Sequence, residues 1–206
     1  MPLLQFPTSR IVGTVEWDGS WTDERGLVLA TGSVQVPDGA GVSLEIQSLR
    51  GSEPMGDGNW HAIPAQEPVH LGFVRDLPRD VIESVSVVGS ADEGSFDAVV
   101  HLAPGLHRLY LKWAGFSDAV LPTVAKLTGL IYLQTFGNNF TDRGVQQLAT
   151  LVNLDHLYLE EETLTLAAFD FVERLPHLTR LGLQDVPLSQ RDIEQLRDRL
   201  PGVDVG

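Results

Sequence analysis

The chain has 206 residues, 43% of them hydrophobic, with 14 Lys+Arg against 28 Asp+Glu and no cysteine. That is enough apolar side chain for a sizeable core, and the missing thiols exclude a disulfide framework and a thiolate zinc site. A formal charge of −14 repels phosphate backbones and anionic bilayer surfaces, so neither nucleic acid nor membrane is expected as a partner.

The start, "MPLLQFPTSRIV", lacks the basic and apolar regions of a secretory signal, and no run approaches the roughly 18 apolar residues of a membrane span. A soluble, cytoplasmic protein is expected. Residues 10–47 contain "RIVGTVEW", "GLVLATGSVQV" and "GVSLEI", which are β-branched, alternating and separated by turn chemistry. They predict a β-meander that caps the C-terminal part of the chain, with "VSLEI" as the first strand of a longer sheet. In the Asp18–Gly26 turn, Asp18, Ser20 and Thr22 are oxygen-bearing, but the central glycine and terminal glutamate of a calcium loop are missing.

Residues 48–70 are rich in Gly and Pro and read as a long irregular loop, a place where function often sits. Trp60 is expected to fold back onto the cap. An enzyme reading would have to use His61, His70, Asp57 or Glu67 of this loop, which offers little rigid support for acid–base work. "FVRDLPRD" then brings the chain back toward a regular pattern that resembles "FVERLP" at Phe171–Pro176.

From there the sequence repeats. Ile82, Leu106, Leu130, Leu154 and Leu178 are spaced by 24 residues. Three positions on stand Val85, Leu109, Leu133, Leu157 and Leu181; five positions on stand Val87, Leu111, Thr135, Leu159 and Leu183. The alternation predicts a short strand opening each unit. Ser117, Thr141, Thr165 and Ser189 then occupy the place of a helix N-cap. Apolar residues at helical spacing follow, such as Val145, Leu148 and Leu151, or Phe169, Val172 and Leu175. One such unit cannot bury both its strand and its helix alone, so neighbours must stack. The first unit is irregular, with Asp92 at the Phe/Leu position, and reads as a transition. The last, ending "LRDRLPGVDVG", carries a polar coat suited to an end cap and a stub of strand at Val203 and Val205.

The stretch "LIYLQTFGNNFTDRGVQQLATLVN" resembles a leucine-rich repeat of the helix-containing, bacterial intracellular type, with L-x-x-L-x-L-x-x-N-x-L matched through Asn138 and Phe140. The resemblance covers residues 80–206. It implies an α/β fold, a leucine-rich repeat solenoid with a parallel β-sheet on the concave side and α-helices on the convex side. The expected organisation is a β-rich N-terminal cap over 1–80, including the loop 48–70, and an array of about five repeats over 81–206 with a C-terminal capping repeat. The family's asparagine position reads Ser90, Ala114, Asn138, Glu162 and Val186, so only one unit can contribute to an asparagine ladder.

Residues between the core positions of each strand face the concave side and form columns. In the middle repeats these assemble Tyr110, Trp113, Tyr132, Gln134, Phe136 and Tyr158, rimmed by Arg108, Lys112, His156 and Arg180, with an acidic edge at Glu160, Glu161 and Asp185. All three tyrosines of the chain fall on this face. Aromatics and arginine dominate binding hot spots, although strand aromatics also stack on one another for purely structural reasons. Phosphate-loop, nucleophile-elbow and zinc-protease motifs are absent. His107 and His156 fall in different columns, so a metal site there would need Asp155 or Glu160 as well. No cofactor, metal or catalytic residue is expected. The reading is a non-enzymatic protein-protein interaction module that holds a protein or peptide on the concave face. A basic partner, through an inhibitor or immunity-type antagonism of a basic enzyme, is the narrower alternative suggested by the charge.

Overall fold

The computed structural model describes residues 1–18, 26–47, 49–54, 60–64, 67–161 and 163–206. Their strands, in chain order, are β1 Leu3–Gln5, β2 Gly13–Asp18, β3 Gly26–Leu29, β4 Ser33–Gln35, β5 Gly41–Ile46, β6 Leu49–Pro54 and β7 Trp60–Pro64, then β8 Ile82–Val88, β9 Arg108–Lys112, β10 Tyr132–Phe136, β11 His156–Glu160, β12 Arg180–Gly182 and β13 Asp204–Val205. Nine of these form one sheet in the order β13-β12-β11-β10-β9-β8-β5-β2-β3. Every neighbouring pair from β5 to β13 is parallel, and β2 and β3 extend the sheet antiparallel. The fold is α/β with a mostly parallel central sheet.

The register follows the 24-residue period. Arg108, Tyr132, His156 and Arg180 are partners in successive strands, as are Tyr110, Gln134, Tyr158 and Gly182. Alternation sends the intervening residues inward. Leu109, Leu133, Leu157 and Leu181 are fully buried, with Leu111, Thr135 and Leu159 beside them. Burying each leucine contributes about 1.5–3 kcal/mol relative to leaving it in water. Behind the strands lie Phe96, Phe116, Phe140, Phe169 and Phe171, all within 1% of complete burial, with the Phe96 and Phe116 rings edge to face at 5.0 Å.

The connecting helical segments are mainly 3-10: residues 71–76, 93–102, 118–120, 146–150 and 166–174. Two short α-helices, α1 Leu121–Val124 and α2 Asp142–Val145, are joined directly to such segments. A 3-10 helix rises about 2.0 Å per residue against about 1.5 Å for an α-helix, so it spans one sheet layer within a unit that has few residues left after its strand and turns. The terminal helix, α3 Gln190–Arg199, is α throughout.

All four expected N-caps are in place: the Ser117, Thr141, Thr165 and Ser189 hydroxyls accept from Ala119, Gly144, Ala167 and Asp192 backbone N–H groups. Ser189 and Asp192 complete a reciprocal capping box. The irregular first unit keeps the device with a different residue, since the Asp92 carboxylate caps the 93–102 segment through Gly94 N–H.

The N-terminal strands share the sheet and the core. β5 is the first parallel strand, paired with β8, and β1 and β4 form a separate antiparallel pair whose Leu4 and Val34 belong to the common buried cluster. Phe6 packs on Phe73 of the 71–76 segment at 6.0 Å. The expected irregular loop at 48–70 differs: β6 and β7 pair antiparallel, Glu53 opposite His61 and Pro54 opposite Trp60. The turn over 19–25 and Asp57 lie outside the described residues, as do the surroundings of Trp60 and His61.

Candidate protein-binding face

On the side of the sheet away from the phenylalanines, the first column runs Glu16, Ser43, Ser84, Arg108, Tyr132, His156, Arg180 and Asp204, and the second runs Thr14, Glu45, Ser86, Tyr110, Gln134, Tyr158 and Gly182. In-register parallel strands lie about 4.8 Å apart, so aromatic residues on adjacent strands must touch. The Tyr132 ring centre is 5.0 Å from Tyr110, 5.4 Å from Tyr158 and 5.9 Å from the His156 ring, which it stacks on. Lys112 Nζ lies 5.0 Å from the Tyr110 ring centre and Arg180 Cζ 6.0 Å from that of Tyr158. Cations held over aromatic faces in this way are attracted by the ring quadrupole.

Glycine completes the geometry at two places. The Tyr158 ring lies over Gly182, where a Cβ would collide with three of its carbons. Trp113 lies over Gly137 in the same manner, and its indole meets the Phe136 ring edge to face at 4.7 Å. Trp113 itself has φ 51°, the left-handed region also used at the same unit position by Gly89, Gly137 and Asp185. That backbone turn lifts the indole out of the sheet, leaving it 58% exposed.

Burial governs the ionisation of the phenols. Tyr132 is pushed up from 10 to about 12, first by desolvation and then by the neighbouring Tyr110 and Tyr158 phenols and the Glu160 carboxylate, against a smaller opposing effect of Arg180. Tyr110 is raised as well, chiefly by burial, with Arg108 opposing. Both therefore remain neutral hydroxyls near neutral pH and present an aromatic surface with hydrogen-bonding edges.

Of the residues expected on this face, Arg108, Tyr110, Lys112, Trp113, Tyr132, Gln134, Phe136, His156, Tyr158 and Arg180 are all exposed or half-buried there. Arg180 Nη1 is 3.5 Å from Asp204 Oδ2, and His156 Nδ1 is 3.0 Å from Asp155 Oδ2. The acidic edge differs from expectation. Glu160 is only 8% exposed and accepts from Gln134 Nε2 at 2.9 Å. Glu161 is completely buried, accepting from Asn138 N at 2.6 Å and from Asn138 Nδ2 at 3.2 Å. Asn138 Nδ2 also donates to Leu111 O at 3.0 Å. The single ladder asparagine thus has a glutamate as its neighbour, and that carboxyl is raised above its usual range because desolvation outweighs the hydrogen bonds from Asn138.

Beyond the middle repeats the face continues through Ser84 and Ser86 of β8 and Ser43 and Glu45 of β5 onto Thr14 and Glu16 of β2. The signal for β5 lay in the alternation of "GVSLEI", whose Ser43 and Glu45 stand opposite Ser84 and Ser86 once that strand is aligned with β8. Nothing local to β2 marks it as part of the same surface. Among the described residues no cluster of three His, Asp or Glu side chains could hold a metal ion, and no helix is long and apolar enough to cross a membrane. The face is read from its own geometry, for no model of a known family matches the chain, and no curated protein matches it.

Proposed function

We propose that the chain is a leucine-rich repeat protein that acts as a non-enzymatic binding module, gripping an extended segment of a protein partner across the open face of its sheet. The observation that carries this reading is the run of touching aromatics, Tyr110, Tyr132, His156 and Tyr158, on the solvent side of consecutive in-register strands. Contiguous aromatic surface left open to water marks interaction sites, and Tyr beside Arg is the composition in which binding energy concentrates. Side chains fixed by their neighbours lose little freedom on association, so a preformed surface of this kind gains affinity by avoiding ordering costs.

The test compares wild-type protein with a Tyr132→Ala/Tyr158→Ala variant whose far-UV circular dichroism and melting are checked first. Both are used as bait in lysate of the source cell, and captured proteins are identified by mass spectrometry and then assayed as purified pairs. Loss of about 2 kcal/mol or more of affinity for a purified partner is expected. Equal affinity for the two baits would remove the aromatic face from consideration.

A further inference from the structure

Toward β2 the open face sinks into two hollows that share Glu16 and Ser43. One, of about 210 Å³, lies between Glu16, Trp17, Gly41, Glu83 and Arg108; the other, of about 250 Å³, lies over Glu45, Ser84 and Ser86 beside Tyr110. Side-chain size makes the relief. Serines at 43, 84 and 86 form a low floor across β5 and β8, while Glu16 and Glu45 stand on one side and Arg108 and Tyr110 on the other. Glu83 enters because the pairing of β5 with β8 slips by one residue there, Val42 with Ile82 but Ser43 with Ser84, and such a bulge re-aims a side chain.

Two observations say what the trough would hold. Glu16 and Glu83 line the first hollow with the guanidinium of Arg108, and Glu45, which accepts from Gln47 Nε2 at 3.0 Å, edges the second; none of the four has an ion-pair partner among the described residues. Independently, Ser84 is 92% buried, being 8% exposed, and lines the second hollow, yet its hydroxyl is hydrogen-bonded to no described residue. Among the described residues the sealed-off side-chain polar atom without a partner is Thr135 Oγ1; the Ser84 hydroxyl instead opens on the hollow, where an entering donor can meet it. Carboxylate walls accept charge-assisted hydrogen bonds, a serine floor adds neutral acceptors, and the Tyr110 ring offers an apolar and quadrupolar wall for an alkyl stem that ends in a cation.

We propose that this trough is the subsite for a lysine or arginine side chain of the protein partner, whose chain crosses the strands from the aromatic stack toward β2. The inference rests on the binding function proposed for the aromatic face and specifies its partner: a basic segment, complementary to a chain of net charge −14. From the floor between β5 and β8 to Tyr132 on β10 is between two and three strand spacings, roughly 12 Å, which an extended peptide covers in about four residues. Side chains that far apart point to the same side of an extended chain. The partner motif is therefore a basic residue and an aromatic or large apolar residue about four positions apart.

The test uses the whole ¹⁵N-labelled chain and three probes: a blocked peptide with lysine and tryptophan at that spacing, the same peptide with norleucine for lysine, and spermidine. The lysine peptide is expected to shift the amide signals of Ser43, Ser84 and Ser86 together with those of Tyr132 and Tyr158, and to bind about tenfold more tightly than the norleucine peptide. Glu16→Gln/Glu45→Gln should abolish that advantage while keeping the norleucine-peptide affinity. Ser84→Leu, which fills the floor, should do the same in a variant shown by melting to be folded. Equal binding of the two peptides, with shifts confined to Tyr132 and Tyr158, would overturn the cation subsite and leave the aromatic face standing. Spermidine matching the lysine peptide would reassign the trough to small polyamines and overturn the peptide occupant, and silence from both peptides would overturn the subsite and the binding face together.

Discussion

Tyr132 is the residue on which the face is centred, and its chemistry makes a measurable prediction. In the unfolded chain its phenol ionises near 10, in the folded chain only near about 12, so the folded state holds a proton that the unfolded state loses. Stability from this group is full below pH 10 and declines as pH rises through the interval to about 12. Urea midpoints measured across that interval should fall more steeply for the wild type than for Tyr132→Phe, and parallel curves would mean that the ring is better hydrated than its neighbours allow. The position of Tyr132 on the open face was readable from the 24-residue spacing, because period and alternation together fix which side of the sheet a residue takes. The burial of Glu161 was not. It stands where the four other units carry Gly89, Trp113, Gly137 and Asp185 in the left-handed conformation, and the approach of Asn138 across the strands meets its carboxylate inside the fold.

Between elements, the helical segments are tied to one another by a repeated exchange. Three of the four N-cap hydroxyls donate to an acid of the preceding unit: Ser117 to Glu93 at 2.7 Å, Thr141 to Asp118 at 2.5 Å and Thr165 to Asp142 at 2.5 Å, while Ser189 donates to Asp192 of its own helix. The acids of the preceding units also accept the cap residue's own N–H at 2.7–2.8 Å. A cap residue is thereby fixed from both sides. Asp142→Ala leaves the Thr165 N–H and hydroxyl without their acceptor and is expected to cost about 1–2 kcal/mol in urea unfolding, with Asp142→Asn costing less because one acceptor oxygen remains. A change below a few tenths of a kcal/mol would show that water replaces the carboxylate without loss. The caps themselves were legible as hydroxyls at one fixed place in each unit, but their acid partners were not, since a contact 23 or 24 residues away appears only once units are stacked. The helix type was also hidden, because apolar spacing near three and four residues serves a 3-10 and an α segment alike over so short a run.

At the scale of the molecule, the N-terminal strands share one sheet and one core with the strands that follow. Hydrogen bonding passes without interruption from β8 to β5 and β2, and the buried cluster runs from Leu4 to Val205. A fragment of residues 81–206 would expose the free edge of β8 and the apolar residues that β5 and the β1–β4 pair cover. Such an edge invites aggregation, so the fragment is expected to lack the single cooperative melting transition of the whole chain, as measured by calorimetry; a sharp transition of undiminished enthalpy per residue would instead establish two separable units. The contact between Asn138 and Glu161 has a consequence for how such a chain can lengthen. The hydroxyl-to-acid ties recur at one place in successive units from Glu93 to Thr165, whereas Asn138 meets Glu161 of the very next layer once. Copying the asparagine unit alone would leave one Asn138 facing another, and copying the glutamate unit alone would bury a carboxylate with nothing to meet it. Inserting the two together keeps every Asn138 beside a Glu161, so the pair of layers, and not the single layer, is the unit that this stretch can repeat without a new buried contact.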